Sequence, residues 1–415
     1  MPTLSGISVA NRTELDEFLR THKMGTAIDV DAGQTLGSIE LLAELGRRKC
    51  QQAWSNTNGK IPLHFLPLDA PYNSRNAYAI WLANCDIVMI TAGLLREIEI
   101  MSSVASRMAM SGINHSNSTF SRTLGKIKID TGTHSAVDQA LAGLIAQGVF
   151  SFIVGHEIGH LAAGHLGIIH KYPVISAKTP TSGSAIAEIS AVALTQEKGR
   201  VERNSMEIDA DIQGCHVLMH HWDLVLANVL ADTDQHPEKR LAVEVFAGLL
   251  ADTDAKIFLS ISCLGMAIAL LGFGDFDEKR LLGKSHPLQA MRFLVGMRTI
   301  IELSDHHEEA HLAMIRTAGA EAMAYLHAVL GSLILKSHEA GNETQCSNLL
   351  NQTAPQQRTE LVMQWTGMSA AIAAMEEVGS QLGALATAFQ STAALREPHL
   401  RWPAHQLVDW SVAAT

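Results

Sequence analysis

The chain has 415 residues, 47% of them hydrophobic, with 31 basic against 42 acidic side chains and a formal net charge of −11. That length can bury a large core, as one elaborated domain or two, and the acidic excess excludes the basic face that general nucleic-acid binding needs. The five cysteines, Cys50, Cys85, Cys215, Cys263 and Cys346, are odd in number and lack a C-x-x-C pair. They supply neither a disulfide framework nor a thiolate zinc site, and a reducing, cytoplasmic setting fits them best.

Met1-Pro2-Thr3-Leu4-Ser5 has no basic stretch followed by an apolar run, so no secretory signal is expected. Residues 1–60 read as a helical segment, with Thr13–Leu19 amphipathic and Leu36–Trp54 a longer second helix. The best strand territory is Ile61–Thr91. Tyr78, Ile80 and Leu82 alternate with Ala77, Ala79, Trp81 and Ala83, and Ile87-Val88-Met89-Ile90 is a second apolar run. Asn84-Cys85-Asp86 between them is a turn, so a hairpin is expected. Met101–Thr133, with its serines, asparagines and glycines, reads as a surface insertion, the alternative being a loop over a cleft.

Ala136–His170 is the next helical stretch, and its centre is His156-Glu157-Ile158-Gly159-His160. Two imidazoles four residues apart on a helix share one face, so both can reach one metal ion with the carboxylate of Glu157 beside a metal-bound water. The preceding Gly148–Gly155 run is apolar and suits a buried helix. His165 lies five residues past His160, and at about 100° per residue that step leaves the ligand face. A contact behind a ligand, or a place at the helix C-terminus, suits it better than ligation.

After a loop at Thr179–Ser184 and a further helix comes Glu207-Ile208-Asp209-Ala210-Asp211. Zinc in a hydrolase usually takes three protein ligands and leaves one position to water. Glu207 is the expected third ligand. Asp211, four residues on and on the same face, is expected to accept a hydrogen bond from a ligand histidine and fix its tautomer. Ala210 is small enough to let the two helices approach. The plainer reading of these acids is a solvated face, which the histidine pair upstream argues against.

From Leu224 onward nearly everything has helical periodicity, with breaks near His236-Pro237 and Gly272–Asp275. Ile257–Gly274 approaches membrane length, but its serines and glycines favour a buried core helix over a span. Ser285-His286-Pro287 suits a helix entry, with Ser285 capping and Pro287 at the first helical position. Beyond Ile300 the chain is rich in alanine and leucine, with long helices expected at Met314–Leu335 and Met363–Thr392.

Several of these stretches resemble one family. Glu207-Ile208-Asp209-Ala210-Asp211 following His156–His160 has the E-x-x-A-D form of the HtpX-type and CAAX-prenyl-protease-type zinc metallopeptidases, which are gluzincins. Asn76-Ala77-Tyr78-Ala79 looks like that family's N-A-F-A strand, Gly93-Leu94-Leu95 like its helix start, and Ser285-His286-Pro287 with Arg292 like its (S/T)-H-P…R element. The Lit-type phage-exclusion peptidases are a related group. The chain departs from the first family in a longer gap between Gly93 and His156 and in lacking most of its membrane spans. The resemblance implies an α+β, helix-dominated chain with a zincin-like core and a small β-sheet over 61–300, followed by a helical C-terminal region over 301–415. It implies one Zn²⁺ on His156, His160 and Glu207, with Arg292 supporting the centre. His286 is implied near the metal as a donor to the oxyanion. Asn76, Ala77, Tyr78 and Ala79 are implied as an edge strand pairing with an extended substrate; an ordinary core hairpin is the competing reading.

The expected function is therefore zinc-dependent hydrolysis of a protein or peptide, with Glu157 as general base. An activating partner is left open. The alternative is a non-catalytic regulatory or binding protein on a metallopeptidase-like scaffold, against which the intact Glu157 speaks.

Overall fold

The computed structural model describes residues 7–28, 39–56, 61–70, 76–82, 84–112, 134–166, 184–187, 197–231, 237–272 and 289–304, together with Ala322 and Val329. In chain order the elements are α1 (Val9–His22), β1 (Thr26–Ala27), α2 (Ile39–Asn56), β2 (Leu63–Asp69), β3 (Ala77–Trp81), β4 (Asp86–Thr91), α3 (Ala92–Gly112), α4 (His134–Ala162), β5 (Ser184–Ala187), α5 (Glu197–Ala231), α6 (Pro237–Ala251), α7 (Thr253–Gly272) and α8 (Gln289–Glu302). Helices dominate, and one small mixed sheet accompanies them.

The sheet order is β1-β2-β4-β3-β5. β2 and β4 run parallel, whereas β1–β2, β3–β4 and β3–β5 are antiparallel. The expected hairpin is present, with Ala77 opposite Ile90 and Trp81 opposite Asp86. Because side chains alternate across a strand, the sheet feeds two cores. Phe65, Ala77, Ala79, Val88 and Ile90 face the large helical core, while Leu66, Tyr78, Ile80, Ile87 and Met89 join Leu15, Phe18 and Leu19 of α1. Leu42, Cys50 and Ala53 of α2 belong to the large core, as do Ala322 and Val329 from the C-terminal third.

Three sequence expectations need correction. Met101–Gly112 is not part of an insertion but the second half of α3. Its serines misled because Ser102 and Ser106 are buried beside Met101, Val104 and Ala105, and the Ser106 hydroxyl donates to the Asp138 carbonyl (2.7 Å) and carboxylate (2.5 Å). A serine so bonded is as much a packing residue as alanine. Ser184 ends no loop; it opens β5, which pairs with β3. Among the described strands β3 is therefore an inner one, and of the expected edge Asn76–Ala79 the residues Tyr78 and Ala79 are paired, with Ala187 and Ile186. Ala77 and Ala79 face α4, which packs across β3. Their small size lets that helix approach the sheet. Asn76 fastens the hairpin to α3. Its N–H donates to Thr91 Oγ1 (3.0 Å) and its carbonyl accepts from the Thr91 N–H (2.9 Å), while the same hydroxyl caps Leu94 N–H (3.3 Å).

Among the described residues two helices are long and apolar enough to cross a membrane, Ser135–Ala162 and Thr253–Leu271, with 67% and 89% of their most apolar windows buried inside the protein. The sequence reading singled out only the second. Within α7, Ser260 is buried and its hydroxyl accepts from Trp222 Nε1 of α5 (2.9 Å).

The contact that positions the site is between α4 and α5, and glycines make it possible. A Cβ on Gly159 would stand 2.9 Å from Gln213 Cβ and 3.1 Å from Ala210 Cα, and one on Gly155 would stand 2.6 Å from Val217 Cβ and 3.0 Å from Gly214 Cα. Removing side chains at these points brings the two backbones together next to His156 and His160. Gly155→Val is expected to destabilise the fold by at least the ~1–3 kcal/mol typical of an overpacked core. Gly143, on the same helix with open space around its Cβ position, is the contrast. There, Gly143→Ala should stabilise by roughly 0.5–1 kcal/mol through helix propensity. Urea unfolding of the two variants should give shifts of opposite sign.

Candidate metal centre

α4 delivers His156, Glu157 and His160, and α5 delivers Glu207 and Asp211. Helical spacing puts His156 and His160 on one face of α4, and Glu207 and Asp211 on one face of α5. His156 Nε2 lies 3.1 Å from His160 Nε2, and Glu207 Oε2 lies 3.5 Å and 3.8 Å from these two atoms. One ligand atom from each of the three residues falls within a sphere of mutual separation no larger than 4.8 Å. Tetrahedral ligands at zinc–nitrogen and zinc–oxygen bond lengths stand about 3.3 Å apart. The three observed edges bracket that spacing.

Hydrogen bonding leaves the right atoms for a metal. His156 Nδ1 is 3.0 Å from Asp211 Oδ1. A carboxylate can only accept, so the His156 proton sits on Nδ1 and the Nε2 lone pair points inward. Arg292 of α8 clamps Asp211 from behind, with Nε donating to Oδ2 (2.7 Å) and Nη2 to Oδ1 (2.8 Å). This fork fixes the plane of the carboxylate and hence of the imidazole. His156 Nε2 and His160 Nε2 face each other at 3.1 Å, close enough for one proton or one metal ion to be shared between them.

The electrostatics say the same. Burial alone would lower the His156 pKa, but its hydrogen bonds to Asp211 and Glu207 outweigh this and raise it to about 10. Burial and the neighbouring positive groups hold His160 well below the usual histidine range, despite the pull of Glu207. Burial would raise Glu207, yet the adjacent His160 and His156 hold it well below its usual range. The pocket of donors thus wants one positive charge, shared between two imidazoles and a carboxylate. A metal ion in place of the proton satisfies the same field.

His156, Glu157, His160, Glu207 and Asp211 are all at most 1% exposed. The solvent-accessible fourth position expected from the sequence is thus not seen as exposure of any of these side chains. The acids of α5 are not a solvated face either, since Asp209 is largely covered as well. His165 is buried against the back of His160, with the two Nδ1 atoms 2.9 Å apart. The helical-wheel argument placed it off the ligand face, but α4 ends at Ala162 and Gly164 takes a left-handed φ of 70°. That reversal, which glycine adopts freely, folds His165 back beneath the ligand. The sequence reading passed over Asp209; its only signal was alternation with Glu207 and Asp211. His286 lies outside the described residues.

No protein-family model, no curated protein and no solved structure matches this chain. A buried His156–His160–Glu207 group able to hold a metal ion is what the site itself defines.

Proposed function

We propose that this protein is a zinc-dependent endopeptidase with a zincin-like core. The observation that carries the reading is the convergence of two imidazole nitrogens and one carboxylate oxygen at one buried point, with Glu157 next to His156 in the chain and buried as well. Zinc held by His156, His160 and Glu207 would supply a water of pKa about 7 and polarise a scissile carbonyl. Glu157 takes a proton from the attacking water and delivers it to the leaving amine. Asp211 and Arg292 hold the His156 imidazole in its ligating tautomer. His286 is assigned to the oxyanion on the family resemblance. An extended substrate pairing with the sheet would add at β5, the outer strand on that side among the described strands. A cytoplasmic setting belongs to the same reading, since Cys50, Cys85, Cys215 and Cys263 are buried free thiols.

Metal analysis and a peptide-library digest test this together. One zinc per chain is expected, lost on chelation and lost in His156→Ala, His160→Ala and Glu207→Ala. Zinc at a hundredfold excess over its Kd should add about 2.7 kcal/mol to the unfolding free energy. A Glu207→Ala protein that kept zinc at native affinity would remove the third ligand from the scheme.

A further inference from the structure

The two ligand histidines are supported by different devices, and the second device involves a residue the mechanism has not used. His165 Nε2 lies 3.2 Å from Asp209 Oδ2, and His165 Nδ1 lies 2.9 Å from His160 Nδ1. His165 is fully buried and Asp209 is 16% exposed at its side chain. We infer that Asp209 and His165 form a positioning relay that sets the tautomer and ring orientation of His160, so that its Nε2 is presented to the metal.

The relay follows from what each group can do. The Asp209 carboxylate lies 3.2 Å from His165 Nε2 without being aligned as its hydrogen-bond acceptor, and its negative charge favours a proton on that nitrogen over a lone pair. His165 Nδ1 is then a bare lone pair. Two imidazole nitrogens 2.9 Å apart need one proton between them, and His165 has none left to give on that side. His160 therefore donates from Nδ1, and its own lone pair is left on Nε2, the atom 3.1 Å from His156 Nε2. The choice made at Asp209 propagates through two rings to the ligand atom. It is the counterpart of the Arg292–Asp211–His156 arrangement, with an imidazole inserted because His160 sits one turn further along α4. Glu207, Asp209 and Asp211, alternating on α5, thus supply the ligand and both supports.

This inference rests on the metal reading above, and the experiment keeps the two apart. Zinc affinity is measured by chelator competition on the full chain, native and variant. The ring nitrogens of the zinc-loaded native protein are assigned by ¹⁵N NMR. Asn at 165 places an amide oxygen where Nδ1 stood and can accept from His160; Gln places its polar end where Nε2 stood and cannot. His165→Gln and Asp209→Ala are therefore expected to weaken zinc binding, by up to the roughly 10–100-fold of lost ligand support. His165→Asn should recover most of that loss. The native spectrum should show His160 protonated at Nδ1 and His165 at Nε2. Equal affinity for His165→Gln and His165→Asn, or an affinity at native level in both His165→Gln and Asp209→Ala, overturns the relay while the metal centre stands. A native chain that binds no zinc overturns both.

Discussion

Glu157→Gln is expected to leave zinc content and thermal stability at native levels while peptide hydrolysis falls by about 10²–10⁴-fold. The amide is nearly isosteric with the carboxylate and lies outside the ligand set of His156, His160 and Glu207. What it lacks is the ability to accept the proton of the attacking water. Because substrate binding does not depend on that proton, the variant should also retain polypeptides that the native protein turns over. Zinc determination, a melting curve and cleavage rates on the same peptide panel make the check. A variant that cleaves as fast as the native chain would rule out the general-base scheme. Specific capture by the variant, with no cleavage by the native chain, would point to a missing activator.

Arg292→Leu is expected to be the most destabilising of the single substitutions considered, at about 3–5 kcal/mol. Asp211 is fully buried and Arg292 only 3% exposed, so removal of the guanidinium leaves a carboxylate with no cationic clamp in a site shielded from water. Burial would raise the Asp211 pKa, but Arg292 first and His156 after it hold it below the ordinary 3.8. The sign follows from linkage. A carboxylate depressed in the folded state stabilises the protein above its unfolded pKa, and that contribution is lost as pH falls below about 3.8 towards the folded value. Arg292→Leu should therefore flatten the acid limb of the stability profile. In Asp211→Leu with Arg292→Leu, where both charges are gone, the loss should be much smaller than in Arg292→Leu alone, because a buried pair costs more to break than to replace. Asp211→Ala should weaken zinc by roughly 10–100-fold. Urea unfolding across pH and chelator competition read these effects, and unchanged zinc affinity in Asp211→Ala would mean that its contact with His156 has no part in metal binding.

Local periodicity was enough to single out the side chains that the fold gathers into a group able to hold a metal ion. His156 and His160, and likewise Glu207 and Asp211, are four apart, and any helix puts such pairs on one face whatever surrounds it. The β3–β4 hairpin was equally legible, since alternation and an Asn-Cys-Asp turn are local signals. Pro237 and Gly272 marked a helix start and a helix end for the same reason. Three matters were decided by tertiary structure alone. Strand order is one: β5 arrives from about a hundred residues after β3 and takes the edge, and no local pattern in Asn76–Ala79 can report that. The fate of polar residues on α3 is another, because Ser106 reads as a loop residue until Asp138 is beside it. The last is the completion of the centre. Periodicity aligns residues along one helix, but the approach of α4 to α5 depends on Gly155 meeting Gly214 and Gly159 meeting Ala210, and the return of His165 depends on a single left-handed glycine. Spacing along a helix follows from covalent geometry, whereas spacing between helices depends on which side chains are missing at the point where they cross.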